Sequence, residues 1–105
     1  MGGLKVQLIT FAGCPNADAA RELLRRCLSL AGLEPTFEEI DSTAPETPER
    51  FREWSSPTVL VNGVDIAGQE ATGPGCRLYR DDAGHMQTSP PERLLRDAIE
   101  AARRG

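Results

Sequence analysis

Residues 4–32, "LKVQLITFAGCPNADAARELLRRCLSLAG", change their period half-way along. Leu4, Val6 and Leu8 alternate with Lys5 and Gln7, and Ile9 and Phe11 extend the apolar run, so residues 4–11 read as a strand whose far end is buried on both faces. Residues 16–31 then space Ala17, Ala20, Leu23, Leu24, Cys27, Leu28 and Ala31 as one helical stripe, with Arg21, Glu22, Arg25 and Arg26 on the wet side and Gly32 as the stop. Cys14 stands on the seam. It is expected at the helix N-cap with Pro15 in the first helical position, where a missing N–H is not needed. Free backbone donors and the positive end of the helix dipole favour a thiolate at such a position, and Asp18 in the first turn opposes it. Cys27, on the apolar stripe, is expected in the core.

Working outward, "TFEEID" (36–41) reads as a second strand, and "STAPETPERFREW" (42–54) as a short helix capped by Thr47 with Pro48 as its first residue. "PTVLVNGVDIAG" (57–68) is a hairpin: a β-branched run, the Asn62-Gly63 pair that a type I′ turn requires, then Val64, Asp65 and Ile66. "GQEATGPG" (68–75) is a glycine-rich loop, and "CRLYR", "DDAG" and "HMQ" suggest a small extra hairpin before the last helix. "SPPERLLRDAIEAARR" (89–104) closes the chain as a helix, with Ser89 as cap, Pro90 as first residue, Glu92 completing a capping box, and Leu94, Leu95, Ala98, Ile99 and Ala102 as its apolar stripe. The order β-α-β-α-β-β-α predicts an α/β fold: one domain over residues 1–105, with a four-stranded mixed sheet and helices on both faces.

The composition narrows the function classes. The 105 residues are 39% hydrophobic and 27% charged, with a net charge of −4, which argues against nucleic acid or an anionic membrane as partner. The Arg25–Arg26 and Arg103–Arg104 pairs are expected at helix C-terminal ends, where positive charge suits the carbonyls. No stretch approaches the roughly 20 apolar residues of a membrane span, and "MGGLKVQLIT" enters a strand pattern without a signal peptide's apolar run. A cytoplasmic setting is the expectation, and there the three cysteines are thiols rather than a disulfide framework.

The order of elements, the C-P-x-x turn opening the first helix and the Ser-Pro-Thr before the third strand together resemble the thioredoxin/glutaredoxin superfamily. In residues the likeness rests on "GCPNA" (13–17) and "SSPTVLVNG" (55–63). It implies that the Ser56–Pro57 peptide is cis, with Pro57 against a partly accessible active thiol, Cys14. It also implies that Ser56 lends main-chain hydrogen bonds to an extended substrate, and that Pro15, Ser56, Pro57 and Thr58 contact that substrate. Dithiol members carry C-x-x-C. Here the second position is Ala17, so "CPNA" is similar to the monothiol variants.

Another cysteine would have to resolve a mixed disulfide on Cys14. Cys27 lies about 19 Å along the same helix at 1.5 Å per residue, beyond the roughly 7 Å between Cα atoms that a disulfide spans. Cys76 is the alternative. In the resembled topology the Asn62-Gly63 turn returns the chain to the edge holding Cys14, and the glycines of "GPGC" let it bend close. Cys14 and Cys76 would then be a redox pair or a two-thiolate soft-metal site; the plainer reading makes Cys76 a half-buried residue at a strand start. His85, on an expected turn, reads as solvated.

The leading expectation is therefore a thiol–disulfide oxidoreductase or thiol-transfer protein with Cys14 as nucleophile, acting on a protein or small-molecule thiol or disulfide and needing no cofactor. Whether the small thiol is glutathione stays open: glutaredoxins usually carry a lysine shortly before the cysteine and a Gly-Gly…Asp pattern after strand four, where this chain has "TFAG" and "AGQEATG". The alternatives are a protein whose Cys14 and Cys76 hold a soft ion such as Hg(II), Cu(I) or As(III), and an interaction module with inert cysteines.

Overall fold

In a computed structural model of the chain, residues 4–69, 73, 75–81 and 83–104 are described. The "MGG" start, part of the glycine-rich loop and Asp82 of the expected small turn lie outside them. Strand β1 (Val6–Thr10) is central and buried throughout. It pairs in parallel with β2 (Glu38–Asp41), Ile9 opposite Ile40, and antiparallel with β3 (Thr58–Val61), Leu8 opposite Val59. Beyond β3 lies the two-residue strand β4 (Val64–Asp65), completing a mixed sheet in the order β2-β1-β3-β4. The turn between β3 and β4 has φ of +52° at Asn62 and +84° at Gly63, as type I′ requires. Asn62 also ties the turn to the start of β1: its N–H donates to Lys5 O, and its Oδ1 accepts from Lys5 N.

Period-two alternation distributes the sheet's side chains between two cores. Val6, Leu8, Val59 and Val61 face helices α1 (Ala17–Leu30) and α3 (Glu92–Arg104), packing with Leu24, Cys27, Leu28, Leu95 and Ile99. Ile9, Ile40 and Leu60 face the single-turn helix α2 (Glu49–Arg52) through Phe51, with Trp54 at the margin. Side chains buried as completely as Leu8, Leu24 and Leu95 each contribute about 1.5–3 kcal/mol. The α1–α3 side is therefore the main source of stability.

The helix ends depart from expectation. α1 begins at Ala17 with Asn16 as N-cap, so Cys14 and Pro15 precede the helix in a turn closed by Ala17 N donating to Cys14 O. Its C-terminus is a Schellman motif: Gly32, at φ +77°, donates to Ser29 O, and Leu33 N donates to Leu28 O. Arg25 and Arg26 lie before the last turn, whereas Arg103 and Arg104 do close α3. Thr47 does not cap α2; its hydroxyl donates to Asp41 O, and Pro48 is the N-cap. α3 starts at Glu92, not Pro90, and the Glu92 carboxylate pairs with Arg26 across the α1–α3 contact. The small hairpin forms from β5 (Tyr79–Arg80) and β6 (Met86–Gln87).

Candidate functional site

Cys14 sits where β1 leaves the sheet. Gly13, at φ +84°, turns the chain, and Cys14 N donates back to Phe11 O. On the neighbouring strand the Ser56–Pro57 peptide is cis, just before β3. Because β1 and β3 pair directly, the start of β3 comes against the turn that follows β1. The Ser56 hydroxyl donates to Cys14 Sγ at 2.9 Å. Cys14 is only 9% exposed, not partly accessible as expected, because it lies inside the turn before α1 with Ser56 across its sulfur. Asp18, which the sequence sets against a thiolate, is exposed and paired with Arg21. Cys27 is 2% exposed, and burial first, then the nearby Glu92 charge, pushes its thiol up from the ordinary cysteine range.

Cys76 is exposed and reaches the same place through its backbone. It pairs with Ser56 in an isolated parallel bridge: Ser56 N donates to Gly75 O at 2.8 Å, and Arg77 N donates to Ser56 O at 2.8 Å. Ser56 thus touches one cysteine with its side chain and pairs with the other through its main chain. The same bridge corrects the role expected of Ser56. Its main-chain donor and acceptor are not free for an extended substrate, because the chain's own residues 75–77 use both. Thr58 is fully buried and also committed internally, donating to Ser55 O at 2.6 Å and accepting from Arg77. Pro15 is exposed beside Cys14, and Pro57 is buried.

Sequence reasoning missed the groups that hold this arrangement. Arg77 forks onto Asp65 with two hydrogen bonds, of 2.8 and 2.7 Å, and the side chains are 7% and 0% exposed. Burial opposes the Arg77 charge, but the bonds from Asp65 outweigh it and hold the guanidinium protonated more firmly than usual. Tyr79 stacks against Arg77, 4.4 Å from guanidinium carbon to ring centre, and donates its hydroxyl to Pro57 O at 2.6 Å. Burial pushes its phenol up. The local pattern hides this pair: Ile66 packs against the main core, but Val64 is 64% exposed and the charged Asp65 between them is buried.

His85 is solvated on the β5–β6 turn, where its N–H donates to Asp81. Among the described residues no group of three or more His, Cys, Asp and Glu side chains converges as a metal centre. No helix there is long and apolar enough to cross a membrane. No family model matches the chain, and no curated protein or solved structure proved similar to it.

Proposed function

We propose that the protein is a thioredoxin-like thiol–disulfide oxidoreductase or thiol-transfer protein of the cytoplasm, with Cys14 as nucleophile and Cys76 as distal resolving cysteine. The observation that carries this reading is the double engagement of Ser56: its hydroxyl is on Cys14 Sγ, and its main chain is paired with Cys76. A hydroxyl donor supports negative charge on the attacking sulfur. Paired residues in a β-bridge carry their side chains on the same side at roughly 5 Å between strands, which favours Cys76 standing beside Cys14. The parallel β1–β2 pair, the antiparallel hairpin, the helices on both faces and the cis peptide accord with the thioredoxin-like resemblance.

In the first step the Cys14 thiolate attacks one sulfur of a substrate disulfide. A bond forms between Cys14 and that half, the substrate S–S bond breaks, and the other half leaves as a thiolate that takes a proton from water. In the second, the Cys76 thiolate attacks Cys14 Sγ, the mixed disulfide breaks, and the second half leaves. The protein loses two electrons to give a Cys14–Cys76 disulfide, and the substrate gains them to give two thiols. Ala17, the position next in line to Cys14 in the turn, carries no sulfur, and Cys27 remains in the core.

Reaction with bis(2-hydroxyethyl) disulfide followed by peptide mass mapping tests the cycle. One disulfide should be consumed per chain, linking Cys14 to Cys76 and leaving Cys27 reduced. Cys76→Ser should stop at 2-mercaptoethanol bound to Cys14. An unreactive Cys14, or an adduct on Cys76 alone, would refute the assignment.

A further inference from the structure

The edge along which an extended polypeptide would approach Cys14 is already filled by the chain itself. From the Ser55 carbonyl to the Pro57 carbonyl every main-chain polar group has an internal partner. Ser55 O accepts from the Thr58 hydroxyl, Ser56 N donates to Gly75 O, Ser56 O accepts from Arg77 N, and Pro57, which has no N–H, gives its carbonyl to the Tyr79 hydroxyl. Gly73 also lies beside this stretch, its N–H donating to Glu53 O at 2.6 Å. The segment 75–77 is also fastened. Arg77 is anchored on Asp65 of β4, so lifting residues 75–77 would strip a buried carboxylate of its partner.

We infer that residues 75–77 form a built-in strap over the main-chain edge at Ser56 beside Cys14, which restricts Cys14 to compact, low-molecular-weight disulfides and thiols. This rests on the thiol–disulfide reading above and names its substrate class. A polypeptide disulfide gains specificity and rate from strand pairing beside the attacked sulfur, and here both pairing groups of Ser56 are taken. A small disulfide needs neither. It needs only to reach the sulfur, and the residues on either side of Cys14, Gly13 and Pro15, are exposed. The strap also carries Cys76, so the segment that excludes a peptide delivers the second thiol.

The test compares two symmetric disulfides with the same cystine bond: oxidised N-acetylcysteine amide, and the dimer of a short extended peptide with a central cysteine. Release of the first thiol is followed at equal concentration. The wild-type protein should react about tenfold faster with the small probe, the scale of the cost of leaving a docked peptide's own main-chain groups without partners against the strap. Two changes loosen the strap by different routes. Gly75→Ala puts a side chain where φ is +124°, a backbone region that L residues rarely adopt. Asp65→Asn with Arg77→Gln removes both charges of the latch together. In whichever of these folds, by circular dichroism, the peptide rate should rise and the ratio fall towards one. Equal rates with the two probes in wild type would overturn the inference, as would a tenfold preference unchanged in the loosened variants. A wild-type Cys14 inert to both probes would instead overturn the thiol–disulfide reading itself.

Discussion

The Ser56 hydroxyl donates to Cys14 Sγ across 2.9 Å, although the two residues are 42 positions apart in the chain. The contact exists because β1 and β3 are antiparallel neighbours, which sets the turn after one against the start of the other. Among the described residues it is the only hydroxyl–sulfur hydrogen bond to Cys14, and it makes Ser56 a positioning residue for the proposed nucleophile.

Ser56→Ala should therefore slow the reaction of Cys14 with a small disulfide at neutral pH by about threefold. The hydroxyl fixes the sulfur and supports its charge as it attacks, and a threefold loss lies well within the about 1.5–3 kcal/mol that a hydrogen bond to a charged group is worth. Second-order rates at several pH values read the effect. Ser56→Thr, which keeps the hydroxyl, should recover part of it. A rate that is unchanged or faster would show that the hydroxyl only covers the sulfur.

Arg77 and Asp65 should behave as a unit in stability measurements. Arg77→Met leaves the Asp65 carboxylate buried without its partner, a loss of about 3–5 kcal/mol by analogy with other broken buried pairs. Adding Asp65→Leu removes the stranded charge, so the double variant should recover most of that loss. Urea unfolding monitored through Trp54 measures both. Additive effects of the two substitutions would contradict the coupling.

Stability should fall as the pH rises above about 9. Burial raises the folded-state pKa values of both Cys27 and Tyr79 above their ordinary values of 9.0 and 10.0. Below about pH 9 both are protonated, folded or unfolded, and the full stabilisation is present. At higher pH the unfolded chain releases these protons first, so unfolding becomes progressively favoured until the folded-state values are passed. Urea midpoints from pH 8 to 11 should drop. The drop should be shallower in Cys27→Ala over its lower part and in Tyr79→Phe over its upper part. A slope identical in wild type and both variants would show that other groups carry the alkaline transition.

Much of the fold was legible because it rests on local chemistry. The change of period between residues 4–11 and 16–31 located β1 and α1, and Asn62-Gly63 identified a hairpin whose turn needs two positive φ angles. Cys27 was readable as core from its place in one helical stripe. These features depend on residues within a few positions of one another, so a linear pattern records them.

Boundaries and buried charges were not legible in that way. Cys14 was expected on the helix N-cap, yet the Gly13 turn and Asn16 start α1 later and leave the thiol inside the loop. Asp65 and Arg77, twelve positions apart, look like surface residues until their side chains meet. A charge can be buried only where an opposite charge arrives with the right geometry, and no local pattern encodes that arrival. The sequence by itself determined the strands, the helical stripes, the turn and the place of Cys14 beside a helix start, since each follows from the periodicity and conformational limits of neighbouring residues. Only the tertiary structure decided that Ser56 meets Cys14, that residues 75–77 cover the edge beside it, and that Arg77 and Asp65 hold them there. Each of those contacts joins segments far apart in the chain, brought together by strand pairing and by the cost of burying a polar group without a partner.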